Sequence, residues 1–288
     1  MMMNNKKQVK DTRKKRTMKG KIVNKIIICF IVLAFLLILA GGGGVYFLLN
    51  SLPSISSLKD YRPSIITRVY ADDDQLIDEF YLEDRKVVPV TDLPKFVIQA
   101  FVAVEDARFF RHQGIDVRSI VRALVKNMKA GTIVQGGSTI TQQVAKGLFL
   151  SPEKKYIRKL REAILAYRID KYLMKYEILN LYLNQIYLGH GAYGIEAASQ
   201  HYFGKTAKEL TLSEAALLAA LPKAPNRYSP FLHPDRARRR QIYVLSRVAE
   251  DGYITEKEKM AAIAAPVELK KARSTDKIAP YFTENIRR

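Results

Sequence analysis

The stretch Phe96-Val97-Ile98-Gln99-Ala100-Phe101-Val102-Ala103-Val104-Glu105-Asp106-Ala107-Arg108-Phe109-Phe110-Arg111-His112-Gln113-Gly114-Ile115-Asp116 sets the reading of the chain. Its first half is apolar at helical spacing (Phe96, Val97, Ala100, Phe101, Val104) and ends on two adjacent acids. Apolar neighbours raise a carboxylate's pKa, which suits a general base at Glu105. The competing reading is a charged C-terminal turn with Arg108 and Arg111 as salt-bridge partners. Taken alone, the segment favours that competitor.

The helical pattern continues to the end of the chain. It predicts helices over about 94–107, 117–129, 139–148, 155–173, 176–186, 192–201, 212–220, 234–250 and 255–263. Start signals are Ser138-Thr139, Ser213 with Glu214, and Pro234 at a first turn. Pro222 and Pro225 stop the Ala-rich helix before them. Upstream, residues 64–90 alternate apolar and polar around Ala71-Asp72-Asp73-Asp74. They predict a small β-hairpin with strands near 65–70 and 75–81. The expected fold is mainly α.

The N-terminal region has another character. Residues 1–25 hold ten Lys/Arg against Asp11, a net +9 out of +20 for the 288 residues. The stretch from Ile26 to Leu58 is free of charge, and its apolar part is 26–49. A helix of that length is about 36 Å long and crosses a hydrocarbon core of about 30 Å. The basic flank places the N-terminus in the cytoplasm and the rest of the chain outside. A cleaved signal peptide is the rival, but its apolar region is shorter, about 7–15 residues. Gly41–Gly44 mark a close helix contact or are merely tolerated. Cys29, the lone cysteine, lies inside the span and excludes a disulfide framework.

The expected organisation is a basic tail (1–25), a transmembrane helix (26–49), a linker with the hairpin (50–93), a helical catalytic domain (94–265) and a C-terminal segment (266–288). The remaining +11 belongs to the outside part. No aromatic-interleaved basic stripe supports a nucleic-acid partner. Residues 117–129 place Arg118, Arg122, Lys126 and Lys129 on one helical face and Ile120, Val121, Leu124, Val125 and Met128 opposite. Such a helix lies in a headgroup plane or is an ordinary surface helix. The stretch 131–137 after it reads as a mobile loop.

Three further segments carry chemistry. Gln135-Gly136-Gly137-Ser138-Thr139-Ile140-Thr141-Gln142-Gln143-Val144-Ala145-Lys146 leads a glycine pair into a helix whose first turn bears hydroxyls. It is a good cap, with anion binding as the lesser reading. Lys154-Lys155-Tyr156-Ile157-Arg158-Lys159-Leu160-Arg161-Glu162 sets one carboxylate among five cations, with Arg158, Arg161 and Glu162 assigned to one face. That is an ion-pair cluster or a pyrophosphate site. Tyr182-Leu183-Asn184-Gln185-Ile186-Tyr187-Leu188-Gly189 and the residues to Lys205 read as close helix packing beside a groove, with core and turns the better account of most.

In order and spacing, these segments and Leu212-Ser213-Glu214-Ala215-Ala216-Leu217-Leu218-Ala219 with Pro222 and Pro225 resemble the five motifs of the peptidoglycan glycosyltransferases, family 51, the domain of class A penicillin-binding proteins. The resemblance covers about 60–288 and leans toward the 1A type. It implies a lysozyme-like α-helical fold that polymerises lipid II into glycan strands, inverting the anomeric carbon and releasing undecaprenyl pyrophosphate. It implies Glu105 as base and Glu162 as the second carboxylate. Lys146, Lys154, Arg158 and Arg161 would offset the leaving charge. Asp106, Arg108, Phe109, His112, Gly137, Ser138, Thr139, Gln142, Gln143, Asn184 and Tyr187 fall on substrate-binding or supporting positions. It also makes 117–135 a membrane-dipping cover.

The resemblance implies no required cofactor. A divalent cation, Mg or Mn, would bridge the pyrophosphate to Glu162 or Asp106, though no ligand spacing demands one. Implied partners are lipid II, the growing strand, the bilayer and other cell-wall synthesis proteins. The implied place is the bacterial cytoplasmic membrane, in a single pass, serving cell-wall biogenesis and cell shape. Gly147 and Asn180 depart from the family's usual Asn and Glu. No Lys-Thr-Gly accompanies Ser56-Ser57-Leu58-Lys59 or Ser151-Pro152-Glu153-Lys154, so no transpeptidase activity is expected of this chain, and its end at Arg288 reads as a cut before a further domain, with a natural monofunctional transglycosylase as the alternative. The rival functions are a lysozyme-like lytic muramidase and a non-catalytic membrane-anchored scaffold.

Overall fold

The computed structural model describes residues 35–36, 39, 42–43, 46–47, 50–53, 67–70, 76–80, 84–132, 136–150 and 155–270. The chain divides into two compact units, 1–53 and 54–288. In the first, the described residues between 35 and 50 are helical. Most of the expected span 26–49 lies outside the described residues. Among those described, no helix is long and apolar enough to cross a membrane.

The second unit is mainly helical. Strands β1 (Thr67–Tyr70) and β2 (Leu76–Phe80) pair antiparallel, with a register shift between Val69 and Tyr70. A short strand β3 (Asp84–Arg85) follows. The helices are α1 (Lys95–Glu105), α2 (Val117–Ala130), α3 (Ile140–Phe149), α4 (Lys155–Tyr172), α5 (Lys175–Gln185), α6 (Ile195–Phe203), α7 (Leu212–Ala219), α8 (Pro234–Glu250) and α9 (Glu256–Ala264). Strand β4 (Ala192–Tyr193) runs parallel to β3.

Two packed groups make the core. Helix α1 lies against α7 and α8, and α3 against α4 and α5. Every residue of α7 from Ser213 to Ala219 is buried. Its alanines let α1 approach closely, so Val97, Ala100 and Phe101 are fully covered. In the other group Ile140 and Val144 meet a core that includes Leu165, Ile169, Ile178 and Leu183, all fully buried. Burying such a side chain is worth about 1.5–3 kcal/mol each.

Two expectations need correction. Helix α7 is capped by Thr211, not opened by Ser213. The Thr211 hydroxyl accepts from the Glu214 N–H, and Glu214 accepts from the Thr211 N–H, a reciprocal capping box. Helix α6 begins at Ile195 rather than 192, because Ala192–Tyr193 are taken by β4. Gly194 makes that switch possible. Its φ is +84°, and a Cβ there would stand 2.8 Å from the Asn184 carbonyl oxygen.

Asn184 itself is a clamp. Its amide oxygen accepts from the Val88 N–H at 2.8 Å, and its amide nitrogen donates to the Val88 carbonyl at 2.9 Å. One turn earlier Asn180 accepts from the Val90 N–H at 3.0 Å. The two asparagines together pin Val88 and Val90. Asn184→Ala strands two backbone groups of buried Val88. Thermal unfolding should show a loss of about 2–3 kcal/mol, with the helical content retained.

Helix α2 buries only Ala123. Asp116 caps it by accepting from the Ser119 N–H. Its apolar side is open, with Leu124 58% and Met128 73% exposed. Of the 131–137 loop, residues 133–135 lie outside the described part; Gly131 ends α2 in a left-handed turn.

Candidate active site

The site begins where α1 ends. Asp106 leaves the helix in a non-helical conformation, and its carboxylate turns inward. It accepts from the Ile140 N–H at 3.1 Å, in the first turn of α3, and from His112 Nε2 at 2.9–3.0 Å. A carboxylate only accepts, so Nε2 carries the proton. Asp106 therefore ties the end of α1, the start of α3 and the 109–116 loop together. Phe109, fully buried, packs edge-on to His112 and holds the loop from below. Thr139, the N-cap of α3, donates its hydroxyl to the Gly114 carbonyl at 2.6 Å.

Both acids line a cleft of about 860 Å³; with Asp106 committed, Glu105 is the one of the pair left for chemistry. It is half-buried, and the protein around it pushes its pKa above the ordinary 4.5. The opposing influences are the hydrogen bond from Gln143 Nε2, at 2.9 Å, and the charges of Arg240 and Lys223. Gln143→Ala removes the bond that favours the ionised form. The acid limb of kcat/KM should then move to higher pH, read from a rate–pH profile of the variant beside the wild type.

Helix α4 supplies the second carboxylate. Glu162 is buried and ion-paired with Lys159, whose ammonium also donates to Ser138 Oγ at 2.8 Å. Arg158 and Lys146 line the same cleft. Eight cationic side chains in all face it against four carboxylates. An anion with several oxygens is what such a surface receives.

The structure thus brings Glu105, Asp106, Gly137, Ser138, Thr139, Gln143, Lys146, Arg158 and Glu162 to one cleft. Lys154 lies outside the described residues. Others stand elsewhere. Gln142 is buried in the α3 capping box. Arg108 pairs with Asp116 at 3.4 Å. Phe109 and His112 support from beneath, Asn184 clamps Val88, and Tyr187 packs on Tyr193. Arg161 does not line the cleft. At 100° per residue, Arg158, Glu162 and Lys159 occupy one arc of α4, and Arg161 falls beyond its edge.

Sequence reading missed Lys159, whose spacing of three from Glu162 was a usable signal. It also missed Lys223, Arg240, Tyr243 and Arg247. No local pattern could find these, since α1 packing on α8 brings in Arg240, Tyr243 and Arg247, and Lys223 comes from the loop before α8.

Residues 73–249 match the family model described as transglycosylase. The chain belongs to the transglycosylase family. This transglycosylase is similar to penicillin-binding protein 1A of Aquifex aeolicus (strain VF5), 48% identical over 83% of this chain and 33% of that protein. It is 44% identical to penicillin-binding protein 1A of Neisseria flavescens, over 82% of this chain and 30% of that one. The chain spans about a third of the length of these curated relatives. A crystal structure of penicillin-binding protein 1A from Haemophilus influenzae covers 79% of this chain, and this chain covers 24% of it, at 29% identity and a TM-score of 0.47.

Proposed function

We propose that this transglycosylase polymerises lipid II into glycan strands. The observation that carries the reading is what one cleft holds. A carboxylate of raised pKa lines it together with Lys146, Arg158 and the Glu162–Lys159 ion pair. In the proposed step, Glu105 takes the proton of the acceptor sugar's 4-hydroxyl. That oxygen bonds to the donor's anomeric carbon from the face opposite the leaving group. The bond from that carbon to the pyrophosphate oxygen breaks, and its electron pair leaves with undecaprenyl pyrophosphate. The anomeric centre inverts, as in other two-carboxylate glycosyl sites of the inverting kind. The cations offset the leaving charge, so no strong general acid is needed.

The carboxylates do not fit a resident Mg or Mn ion. Asp106 is taken by His112 and the Ile140 N–H, and Glu162 by Lys159. Among the described residues no group of three or more His, Cys, Asp or Glu side chains stands ready for a metal.

The proposed setting is the outer face of the bacterial cytoplasmic membrane, with residues 26–49 as a single-pass anchor and 1–25 in the cytoplasm. The exposed apolar side of α2 would meet the bilayer. The test is purified lipid II in detergent. Polymer whose new linkages are inverted relative to the donor supports the reading. Release of fragments from preformed glycan, with lipid II left intact, would instead make the domain a muramidase.

A further inference from the structure

Helix α8 carries arginines that the proposed reaction does not use. Arg236, Arg240 and Tyr243 recur at four and three residues and share a face, with Arg239 beside them. With Arg227 and Tyr228 they line a second recess of about 360 Å³. Arg240 and Tyr243 line both this recess and the catalytic cleft, so the two share a wall.

Four guanidiniums surround the recess, and no carboxylate lines it. Among the described residues, none of the four has an acidic partner within ion-pair distance. An ordinary solvated helix face mixes its charges, as α9 does with Lys259 and Glu256. Here two guanidiniums lie against aromatic rings instead. Arg240 stands 4.4 Å from the Tyr243 ring centre and 5.8 Å from that of Tyr228, and Arg227 stands 5.8 Å from Tyr228. Contact with a ring face restrains a guanidinium and leaves its N–H edges for an anion in the plane. The Nε of Arg240 is buried and has no hydrogen-bond partner.

We infer that this recess binds the free carboxylates of the peptide stem carried by the sugar positioned at Glu105. The inference rests on the lipid II reading and deepens it. Carboxylates match the guanidinium fork in charge and in planar geometry. The recess adjoins the cleft that holds Glu105 through Arg240 and Tyr243, which line both, and the Arg240 charge acts on Glu105. The cations that would meet pyrophosphate are others, Arg158 and Lys159 on α4 with Glu162, and Lys146 on α3. An extended peptide spans about 3.3–3.6 Å per residue, so a short stem on a sugar in the cleft reaches an adjoining recess that shares a wall with it.

The test uses the full chain in detergent and the variant Arg227→Gln/Arg236→Gln/Arg239→Gln. These three side chains are exposed and line only the second recess. Two substrates are compared, lipid II and lipid II with its stem carboxylates converted to amides. A soluble disaccharide-peptide without lipid or pyrophosphate is titrated in parallel. The variant should raise KM for lipid II about tenfold with kcat within about twofold, and weaken the soluble ligand about tenfold. It should leave KM for the amidated substrate unchanged. Equal weakening toward both substrates would overturn the inference and assign the arginines to general attraction of anionic lipid. Unchanged KM and binding would overturn it too. The titration needs no turnover. A wild type that makes no polymer would defeat the lipid II reading, while its binding of the soluble ligand, lost in the variant, would still support the recess.

Discussion

Glu105→Gln should lower lipid II polymerisation by roughly 10³-fold while leaving thermal unfolding unchanged. The substitution is nearly isosteric. Its amide oxygen can still accept from Gln143 Nε2, which lies 2.9 Å from the native carboxylate. What is lost is the ability to take a proton. That role cannot pass to the neighbour, because Asp106 is held by His112 and the Ile140 N–H. Glycan synthesis from purified lipid II, set beside a melting curve, checks both halves. Full activity in the variant would remove Glu105 from the role of base. The pH profile supplies a second reading. Desolvation raises the Glu105 pKa, so the ionised base disappears at a higher pH than an ordinary glutamate near 4.5. The rate of the wild type should therefore fall on acidification before exposed carboxylates titrate.

Gly114→Ala should do the opposite kind of damage, lowering stability and activity together. Gly114 has φ +78°, which costs an alanine about 1–2 kcal/mol. A Cβ there would lie 2.3 Å from the Ala166 carbonyl oxygen and 2.9 Å from the Tyr167 nitrogen. Both are backbone of α4 and cannot rotate aside. The 109–116 loop must lift away, for a total of about 4 kcal/mol and a Tm lower by roughly 10 °C. The Thr139 hydroxyl then loses the Gly114 carbonyl, and His112 is pulled from Asp106. Gly136→Ala is the matching control, since a Cβ there meets nothing within 4 Å. A Gly114→Ala protein with wild-type melting and wild-type turnover would show that the loop does not need this approach.

The helices were legible because their signals are local. Apolar spacing in Val97, Ala100 and Phe101, and caps such as Thr139 with Gln142, act within one or two turns and hold in any tertiary setting. The two-residue strand β4 was not legible. It pairs with β3, more than a hundred residues earlier in the chain. Asn184 was legible as a polar residue of interest but not as a clamp, since its partner Val88 is 96 residues away. Glu105 and Glu162 stood out by their neighbours in the chain. The cations that act on Glu105 did not, because Arg240 and Lys223 arrive from α8 and the loop before it.

The sequence by itself determined the helical elements, the basic character and the family motifs, all properties of residue order and short spacing. The tertiary structure decided which of two adjacent acids is tied into the fold. Asp106 is consumed because an N–H from α3 and an imidazole from the next loop converge on it, and Glu105 is left for chemistry. It also decided that Lys159, rather than Arg161, shares the cleft with Glu162, through the rotation of α4 set by its packing against α3 and α5. Charge and hydrogen-bond partners across a site depend on which helix faces meet, and those faces meet only when the core closes.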